Sequence, residues 1–90
     1  MSETAGIMGV GNESKPQANL TFGQKAVGLT FNPSNDDRVG RCKSIYALAI
    51  DQLNDLRNET EDPEVKRLCS VAITETQTAQ MWAVKAITWK

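Results

Sequence analysis

Cationic side chains flank a run of uncharged hydrogen-bonding groups in the last third of the chain. Arg67 precedes the run and Lys85 follows it. The run comprises Thr74, Thr76, Gln77, Thr78 and Gln80. Enclosed cations need an anionic partner, which is either Glu75, an acid of another chain or a bound phosphate. Enclosed amides and hydroxyls need partners on another helix or on a ligand with base edges and ribose hydroxyls. The chemistry that these residues indicate is binding.

The composition argues against catalysis. The chain has no His, which removes the usual general base, the usual metal ligand and the Ser/His and Cys/His nucleophile pairs. Cys42 and Cys69 do not form a CxxC pair, and without a signal peptide they are predicted to be reduced core residues in a cytoplasm. We therefore predict a protein that is not an enzyme, with no catalytic residue, no metal and no cofactor.

Charge and hydropathy limit the partners. A net charge of -1 gives no support for binding a long nucleic acid, because such binding depends on neutralising many phosphates. No apolar run is long enough for a membrane span, so no membrane partner is predicted. A local cationic pocket for a small anion is compatible with both observations.

A helix is predicted from about Pro63 to Thr88, because Asp62 can cap it and Glu64 meets the positive end of its dipole. One side of this helix is a seam of mostly small side chains: Val65, Cys69, Ala72, Thr76, Ala79, Ala83 and Ala86. The second side comprises Ile73, Gln77, Gln80, Val84 and Ile87. The third side comprises Leu68, Val71, Thr78, Trp82 and Trp89. No side is built for water, so the helix must be covered nearly all round. A short chain lacks the surface to do this, which predicts that identical chains cover the helix.

Another helix is predicted from about Asn35 to Arg57, with Ser34 and Asp37 forming a capping box. Its heptad seam comprises Val39, Cys42, Tyr46, Ala49, Leu53 and Leu56, widened by Ile45, Leu48 and Ile50, whereas Lys43, Asp51, Asn54 and Asp55 face water. The polar segment 58–62 has the length expected between antiparallel neighbours. We predict an all-α fold, an antiparallel two-helix hairpin with an irregular N-terminal arm, assembled into a homo-oligomer.

The chain is predicted to divide into a flexible or extended arm, residues 1–30, and a helical-hairpin domain, residues 31–90. The glycine-containing segment 6–15 fails the GxxxxGK[ST] spacing of a phosphate loop, so a flexible tail is favoured. Residues of the later arm alternate loosely, which favours a strand or an arm laid over a neighbouring chain. They are Phe22, Val27, Leu29 and Phe31.

Two blocks of the sequence resemble a known family. The first is the Phe31-Asn-Pro-Ser34 turn with the helix that contains Ala49-Ile-Asp51, and the second is SVAITETQTAQMWAVKAITW, from Ser70 to Trp89. Over roughly residues 31–90 the chain resembles the bacteriophage sponge proteins that counter the CBASS and Thoeris immune systems.

The resemblance implies a nucleotide-binding homo-oligomer, often a hexamer, in the cytoplasm of the infected bacterial host. Such proteins sequester cyclic dinucleotides, cyclic trinucleotides or cyclic ADP-ribose isomers between protomers without cleaving them. An aromatic ring would stack on a base and an ammonium group would meet a phosphate. The ligand-binding residues that the resemblance implies are Phe31, Asn32, Lys43, Arg67, Thr74, Gln77, Thr78 and Lys85.

Another interpretation is a structural or adaptor oligomer without a small-molecule ligand. In that case the polar residues of the second helix pair with protein. Trp82 and Trp89, which are seven residues apart and share a face, then act as interface anchors rather than as platforms for bases.

Overall fold

The computed structural model describes residues 19–90, and all regular elements in that range are helices. They are α1 (Phe22–Ala26), α2 (Asp37–Glu59) and α3 (Pro63–Ile87). Helices α2 and α3 pack along each other, and α1 packs on α2. The prediction of an all-α hairpin is therefore confirmed. The predictions for the segment before Asn19 lie outside the described residues, and the division of the chain at residue 30 stays a prediction.

The start of α3 follows the predicted local chemistry. Asp62 is the N-cap, and its carboxylate accepts a hydrogen bond from the Glu64 N–H at 2.9 Å. Pro63 occupies the first turn, where its missing N–H has no intrahelical acceptor to lose. Helix α2 ends at Glu59, so a connection of three residues, 60–62, turns the chain back. This short connection makes the two long helices antiparallel neighbours.

The start of α2 differs from the prediction. The N-cap is Asp36, whose carboxylate accepts from the Arg38 N–H at 2.9 Å, and not Ser34. The Ser34 hydroxyl instead accepts from the Asp36 N–H at 3.2 Å. Asn35 lies between them at a φ of 58°, a left-handed conformation that Asn tolerates better than most residues. The predicted capping box is wrong because this turn delays the helix by two residues.

The strand or extended arm predicted around Phe22 is also wrong, because residues 22–26 form α1. The Thr21 hydroxyl accepts from the Gln24 N–H at 3.1 Å, while the Gln24 side chain accepts from the Thr21 N–H at 2.9 Å. This reciprocal pair is a capping box of the T-x-x-Q type. The T-x-x-Q pattern was therefore a helix signal in the sequence. The loose alternation of apolar residues favoured a strand instead, so this signal was overlooked.

Helix α1 lies so close to α2 that only glycine fits at the contact. A Cβ on Gly23 would stand 2.1 Å from the Ala47 carbonyl oxygen. The Gly23 N–H donates to a carboxylate oxygen of Asp51 at 2.7 Å. Asp51, predicted to face water, therefore holds α1 against α2.

The core is small and lies where the three helices meet. Its central cluster comprises Val27, Ala47, Ile50 and Ile73. On α2 the buried residues are Val39, Lys43, Ala47 and Ile50, and on α3 they are Cys69, Ile73 and Gln80. The predicted α2 seam is thus rotated, and its member Ala49 is exposed. The reason is that α1 covers one flank of α2, a contact that the periodicity of α2 alone cannot reveal.

None of the helices found in residues 19–90 combines the length and the hydropathy that crossing a membrane requires.

Candidate functional site

A cavity of about 380 Å³ lies where the start of α2 meets the last turns of α3. The loop after α1 forms its third wall. The lining residues are Phe31, Asn32, Pro33, Ser34, Val39, Lys43, Gln80, Met81, Val84 and Thr88. We call this part of the molecule the open end and the opposite part, around the connection 60–62, the turn end. Of the predicted site residues, the structure brings Phe31, Asn32 and Lys43 together in this cavity.

The loop wall is held by its own hydrogen bonds. Gly28 adopts a φ of 65°, which suits glycine, and its carbonyl oxygen accepts from the Phe31 N–H at 2.9 Å. The Asn32 amide donates to the Asp36 carbonyl oxygen at 3.1 Å, and its oxygen accepts from the Ser34 hydroxyl at 2.7 Å. Both ends of the Asn32 amide are therefore engaged within the loop, so Asn32 shapes the wall of the cavity.

Lys43 is the buried cation of the cavity. The residue is only 5% exposed, so the prediction that it faces water is wrong. Its ammonium group donates to the Gly28 carbonyl oxygen at 2.9 Å and to the Phe31 carbonyl oxygen. Burial lowers the pKa of Lys43 from its usual value, because desolvation disfavours the charged form. The ammonium group has three N–H donors, so its two bonds within residues 19–90 leave one donor for another acceptor.

Phe31 offers an accessible aromatic ring beside this cation. The residue is 70% exposed although it lines the cavity. The Lys43 ammonium lies 5.6 Å from the centre of the Phe31 ring, within the range of a cation–π interaction. Lys43 thus fixes both the backbone and the ring of Phe31. An exposed ring held in this way can stack on a planar group.

Gln80 belongs to the cavity but was missing from the predicted ligand-binding residues. It is 6% exposed and lies on the face of α3 that meets α2. The sequence signal was present, since Gln80 belongs to the polar run of this helix. What the sequence could not show is which of the two Gln residues in that run reaches a cavity.

Five predicted site residues lie outside the cavity: Arg67, Thr74, Gln77, Thr78 and Lys85. The Gln77 amide donates to the Ala26 carbonyl oxygen at 3.3 Å, and the Thr78 hydroxyl donates to the Thr74 carbonyl oxygen at 3.2 Å. Gln77 thus pairs with a residue of α1, whereas Thr78 pairs within its own helix. Thr74 and Lys85 are exposed.

Arg67 is exposed at the turn end and pairs with its own helix. Its guanidinium group makes two bonds to the Glu64 carboxylate, at 3.0 and 2.7 Å. The hydrogen bond from Arg67 lowers the pKa of Glu64, and the same bond raises the pKa of Arg67. Of the partners that the sequence left open for Arg67, which were Glu75, an acid of another chain or a phosphate, Glu75 is not the one observed in the single chain. Arg67 is also 13 residues from Gln80 along α3, which corresponds to roughly 20 Å.

Trp82 and Trp89 are 66% and 73% exposed in the single chain. The Lys85 ammonium lies 5.7 Å from the Trp82 ring centre and 6.0 Å from that of Trp89. The third side of α3, which like the other sides was predicted to be covered, therefore presents two aromatic rings to its surroundings, with the Lys85 ammonium beside them. It adjoins the open end, since Met81 of the cavity precedes Trp82.

The side chains of residues 19–90 do not bring three potential metal ligands together. Of the polar side chains that line the cavity, Asn32, Ser34 and Thr88 are hydrogen-bonded to protein. The groups left for a small molecule are the Lys43 ammonium, the Gln80 carboxamide and the accessible Phe31 ring, among apolar walls. Such a site can bind an anion that has a flat ring with hydrogen-bonding groups along its edge.

The family model described as "Acb2/Tad1, hairpin domain" matches residues 24–88. The match spans the end of α1 and all of α2 and α3, so the architecture and the cavity both lie within it. The chain belongs to this family, the anti-CBASS and anti-Thoeris nucleotide sponges, and the predicted resemblance is confirmed. No curated protein and no solved structure matches the chain.

Proposed function

We propose that this protein binds a cyclic nucleotide signal at the open end and holds it intact. The ligand would be a cyclic ADP-ribose isomer or a cyclic di- or trinucleotide. The membership of the chain in the sponge family supports this proposal. Bound signal cannot reach the effector that it would activate in Thoeris or CBASS defence. The protein would act in the cytoplasm of the infected bacterial host, by binding and not by catalysis.

The observation that carries the proposal is the buried Lys43 beside the exposed Phe31. The cavity of about 380 Å³ falls within the size range of small-molecule sites. Phe31 would stack on a base, and the free N–H of Lys43 would donate to a phosphate oxygen. Because Lys43 is shielded from water, its bond to a phosphate would be stronger than that of a surface lysine.

Self-association would complete the site. Large hydrophobic residues on both long helices are strongly exposed in the single chain, among them Ile45, Leu48, Met81, Trp82 and Trp89. Exposure on this scale is typical of a surface that contacts another protein. We propose that identical chains cover it in a homo-oligomer, with six chains as the number that the family resemblance implies. Arg67, Thr74 and Lys85 could then reach a bound nucleotide from a neighbouring chain.

Isothermal titration of the purified full chain with cyclic di-AMP, cyclic tri-AMP and cyclic ADP-ribose tests the proposal. We expect saturable binding of at least one of them. The bound nucleotide, released by heating and separated by chromatography, should have its original mass. Absence of heat with all three would contradict the proposal, and a linearised product would indicate hydrolysis. Light scattering on the same samples tests the assembly, and a monomer at micromolar concentration would contradict that part.

A structural or adaptor oligomer is the second candidate. The observation that favours it is that Ile45 and Leu48 are exposed on α2 without lining the cavity. This candidate needs an oligomer but no nucleotide. Protection of phage from the defence system separates the two, because only a sponge would lose protection when Lys43→Met leaves the oligomer intact.

A further inference from the structure

The side chain of Gln80 is a buried polar group without a protein partner among residues 19–90. The residue is 6% exposed, and its side chain lines the cavity at the open end. A buried carboxamide that makes no hydrogen bond is unfavourable, and such groups are rare in native proteins. Its occurrence at the wall of a cavity indicates that the missing partner comes from outside the described chain.

The neighbouring polar residues of α3 show that Gln80 is an exception. The Thr76 hydroxyl donates to the Ala72 carbonyl oxygen at 2.6 Å, and the Thr88 hydroxyl donates to the Val84 carbonyl oxygen at 2.8 Å. Gln77, the nearest chemical equivalent, donates to the Ala26 carbonyl oxygen. The polar side chains before and after Gln80 are thus satisfied by protein, and this includes Thr88, which also lines the cavity. Gln80 is buried at the same cavity, and none of the hydrogen bonds within residues 19–90 involves its side chain.

The surroundings of Gln80 define the kind of ligand. Val39, Met81 and Val84 supply apolar walls, and Phe31 supplies an accessible ring. Apolar walls with one donor and acceptor pair suit a nucleobase, whose faces are apolar and whose edge is polar. A Gln side chain presents an N–H donor next to a carbonyl acceptor. The N7 acceptor and N6–H donor of adenine complement this pair with two parallel hydrogen bonds.

We propose that Gln80 is the specificity-determining residue of the cavity and reads an adenine through its N6 and N7 atoms. This inference rests on the proposed function, because it assigns the base of the nucleotide that the cavity would hold. Lys43 would contact the phosphate, Phe31 would stack on the base, and Gln80 would select it.

The test compares adenine with hypoxanthine, which carries an oxygen in place of the N6 amino group. Two acceptors then face the amide, so one of its hydrogen bonds is lost. The probes are cyclic di-AMP, cyclic tri-AMP and cyclic ADP-ribose, each beside its hypoxanthine counterpart. In the wild-type protein we expect an adenine preference of at least about tenfold, the lower end of what a bidentate pair discriminates.

The variant Gln80→Met keeps the length of the side chain and removes both polar atoms. We expect its affinity for the adenine probe to fall at least about tenfold and the preference over hypoxanthine to disappear. Its melting temperature should equal or exceed that of the wild type, since an unpaired buried amide has been removed. Gln52→Met, the same change at an exposed residue outside the cavity, should keep the wild-type affinity and preference.

Retention of the adenine preference in Gln80→Met would overturn the inference, and so would equal binding of both bases by the wild type. A lower melting temperature together with equal weakening of both ligands would indicate a structural role and would also overturn it. In these cases the sponge function stands, because the wild type still binds. If the wild type binds none of the probes, the proposed function fails and the inference fails with it.

Discussion

The two ends of the hairpin use polar side chains in opposite ways. At the turn end, Arg57 donates to the Ser70 hydroxyl at 3.0 Å and to the Asn54 side chain at 2.7 Å. Lys66 donates to the Arg57 carbonyl oxygen at 2.9 Å, near the end of α2. These groups pair with one another, and Lys66 is exposed, so water can accept from its remaining N–H groups. At the open end, the protein groups of residues 19–90 accept from two of the three N–H groups of Lys43, and none of them pairs with the Gln80 amide.

This difference indicates that the polar groups of the turn end stabilise the fold, whereas those of the open end are available to bind a ligand. Paired polar groups at the turn end fix the direction of the chain where α2 becomes α3. Unpaired, desolvated groups at the open end are unfavourable in the free protein, and a ligand that satisfies them regains that free energy on binding. Local inconsistencies between sequence and fold are expected at functional sites. We therefore expect variants at the two ends to differ in what they impair.

Gly23→Ala should have the largest effect on stability, because the new Cβ would meet the Ala47 carbonyl oxygen at 2.1 Å. Helix α1 must then move away from α2, at a cost of about 2–3 kcal/mol in the free energy of unfolding. Urea denaturation measures the loss, and hydrogen exchange should rise most in α1 and in the loop that follows it.

Gly40→Ala is the matched control, since a Cβ there has no neighbour within 4 Å. It should stabilise α2 by about 0.5–1 kcal/mol, because alanine replaces glycine inside a helix. Equal destabilisation by both variants would show that the close approach of α1 to α2 is not the reason why alanine is unfavourable at position 23.

Lys43→Met should have the largest effect on binding. It removes the cation of the cavity and releases the carbonyl oxygens of Gly28 and Phe31. We expect the affinity for the cyclic nucleotide to fall by about 10- to 100-fold, or roughly 1.4–2.8 kcal/mol, as for the loss of one charged hydrogen bond.

Lys66→Met makes the same chemical change at the turn end, where the ammonium binds the Arg57 carbonyl oxygen. Titration calorimetry should give the wild-type affinity for this variant. If Lys66→Met weakened binding as much as Lys43→Met, the comparison between the two ends would fail.

Arg57→Met should reduce stability without affecting the site. The change removes hydrogen bonds to Ser70 and Asn54 and a cation–π contact with Phe22, whose ring centre is 5.5 Å away. We expect a loss of about 1–2 kcal/mol in the free energy of unfolding and an unchanged nucleotide affinity. A tenfold loss of affinity at wild-type stability would contradict this assignment.

Substitution of Asp36 should have the smallest effect on the free energy of unfolding, and only at acid pH. Hydrogen bonds from the Arg38 side chain and backbone N–H lower the pKa of Asp36 from 3.8 to about 2. Because the folded state holds the carboxylate ionised, its contribution is present above pH 3.8 and is lost as the pH falls toward 2. Asp36→Asn should therefore flatten the dependence of stability on pH in this window.

Arg38→Met should flatten the same part of the profile, because it removes the guanidinium partner of Asp36. Urea denaturation at several pH values measures both variants. A profile that stays as steep as that of the wild type in both would show that this pair does not contribute to acid sensitivity.

Short-range chemistry explains which parts of the fold were predictable. Asp62, Pro63 and Glu64 marked the start of α3 because a cap, a fixed φ and a charge act within one turn. The sequence block from Ser70 to Trp89 identified the family, which the match over residues 24–88 confirms. The capping box of α1 was equally local, but its five-residue helix was too short for periodicity to detect.

Long-range packing explains what the sequence could not predict. Nothing near Lys43 in the sequence indicates that its ammonium binds the carbonyl oxygens of Gly28 and Phe31. Nothing near Gln80 in the sequence indicates that it lines the cavity, either. Gln77 has the same side chain and lies on the same helix, but it contacts α1 instead. The heptad seam of α2 predicted a buried side, but the observed buried side is rotated from it because α1 packs against α2.

The sequence by itself determined three things about this protein: its two long helices, the turn that makes them antiparallel, and its membership in a family of nucleotide sponges. Each depends on contacts within a few residues or on the order of the residues itself. Only the tertiary structure decided that α1 closes one side of the hairpin and that Phe31, Lys43 and Gln80 share a cavity. Those placements depend on contacts between residues far apart in the chain, whose free energies are set when the helices pack.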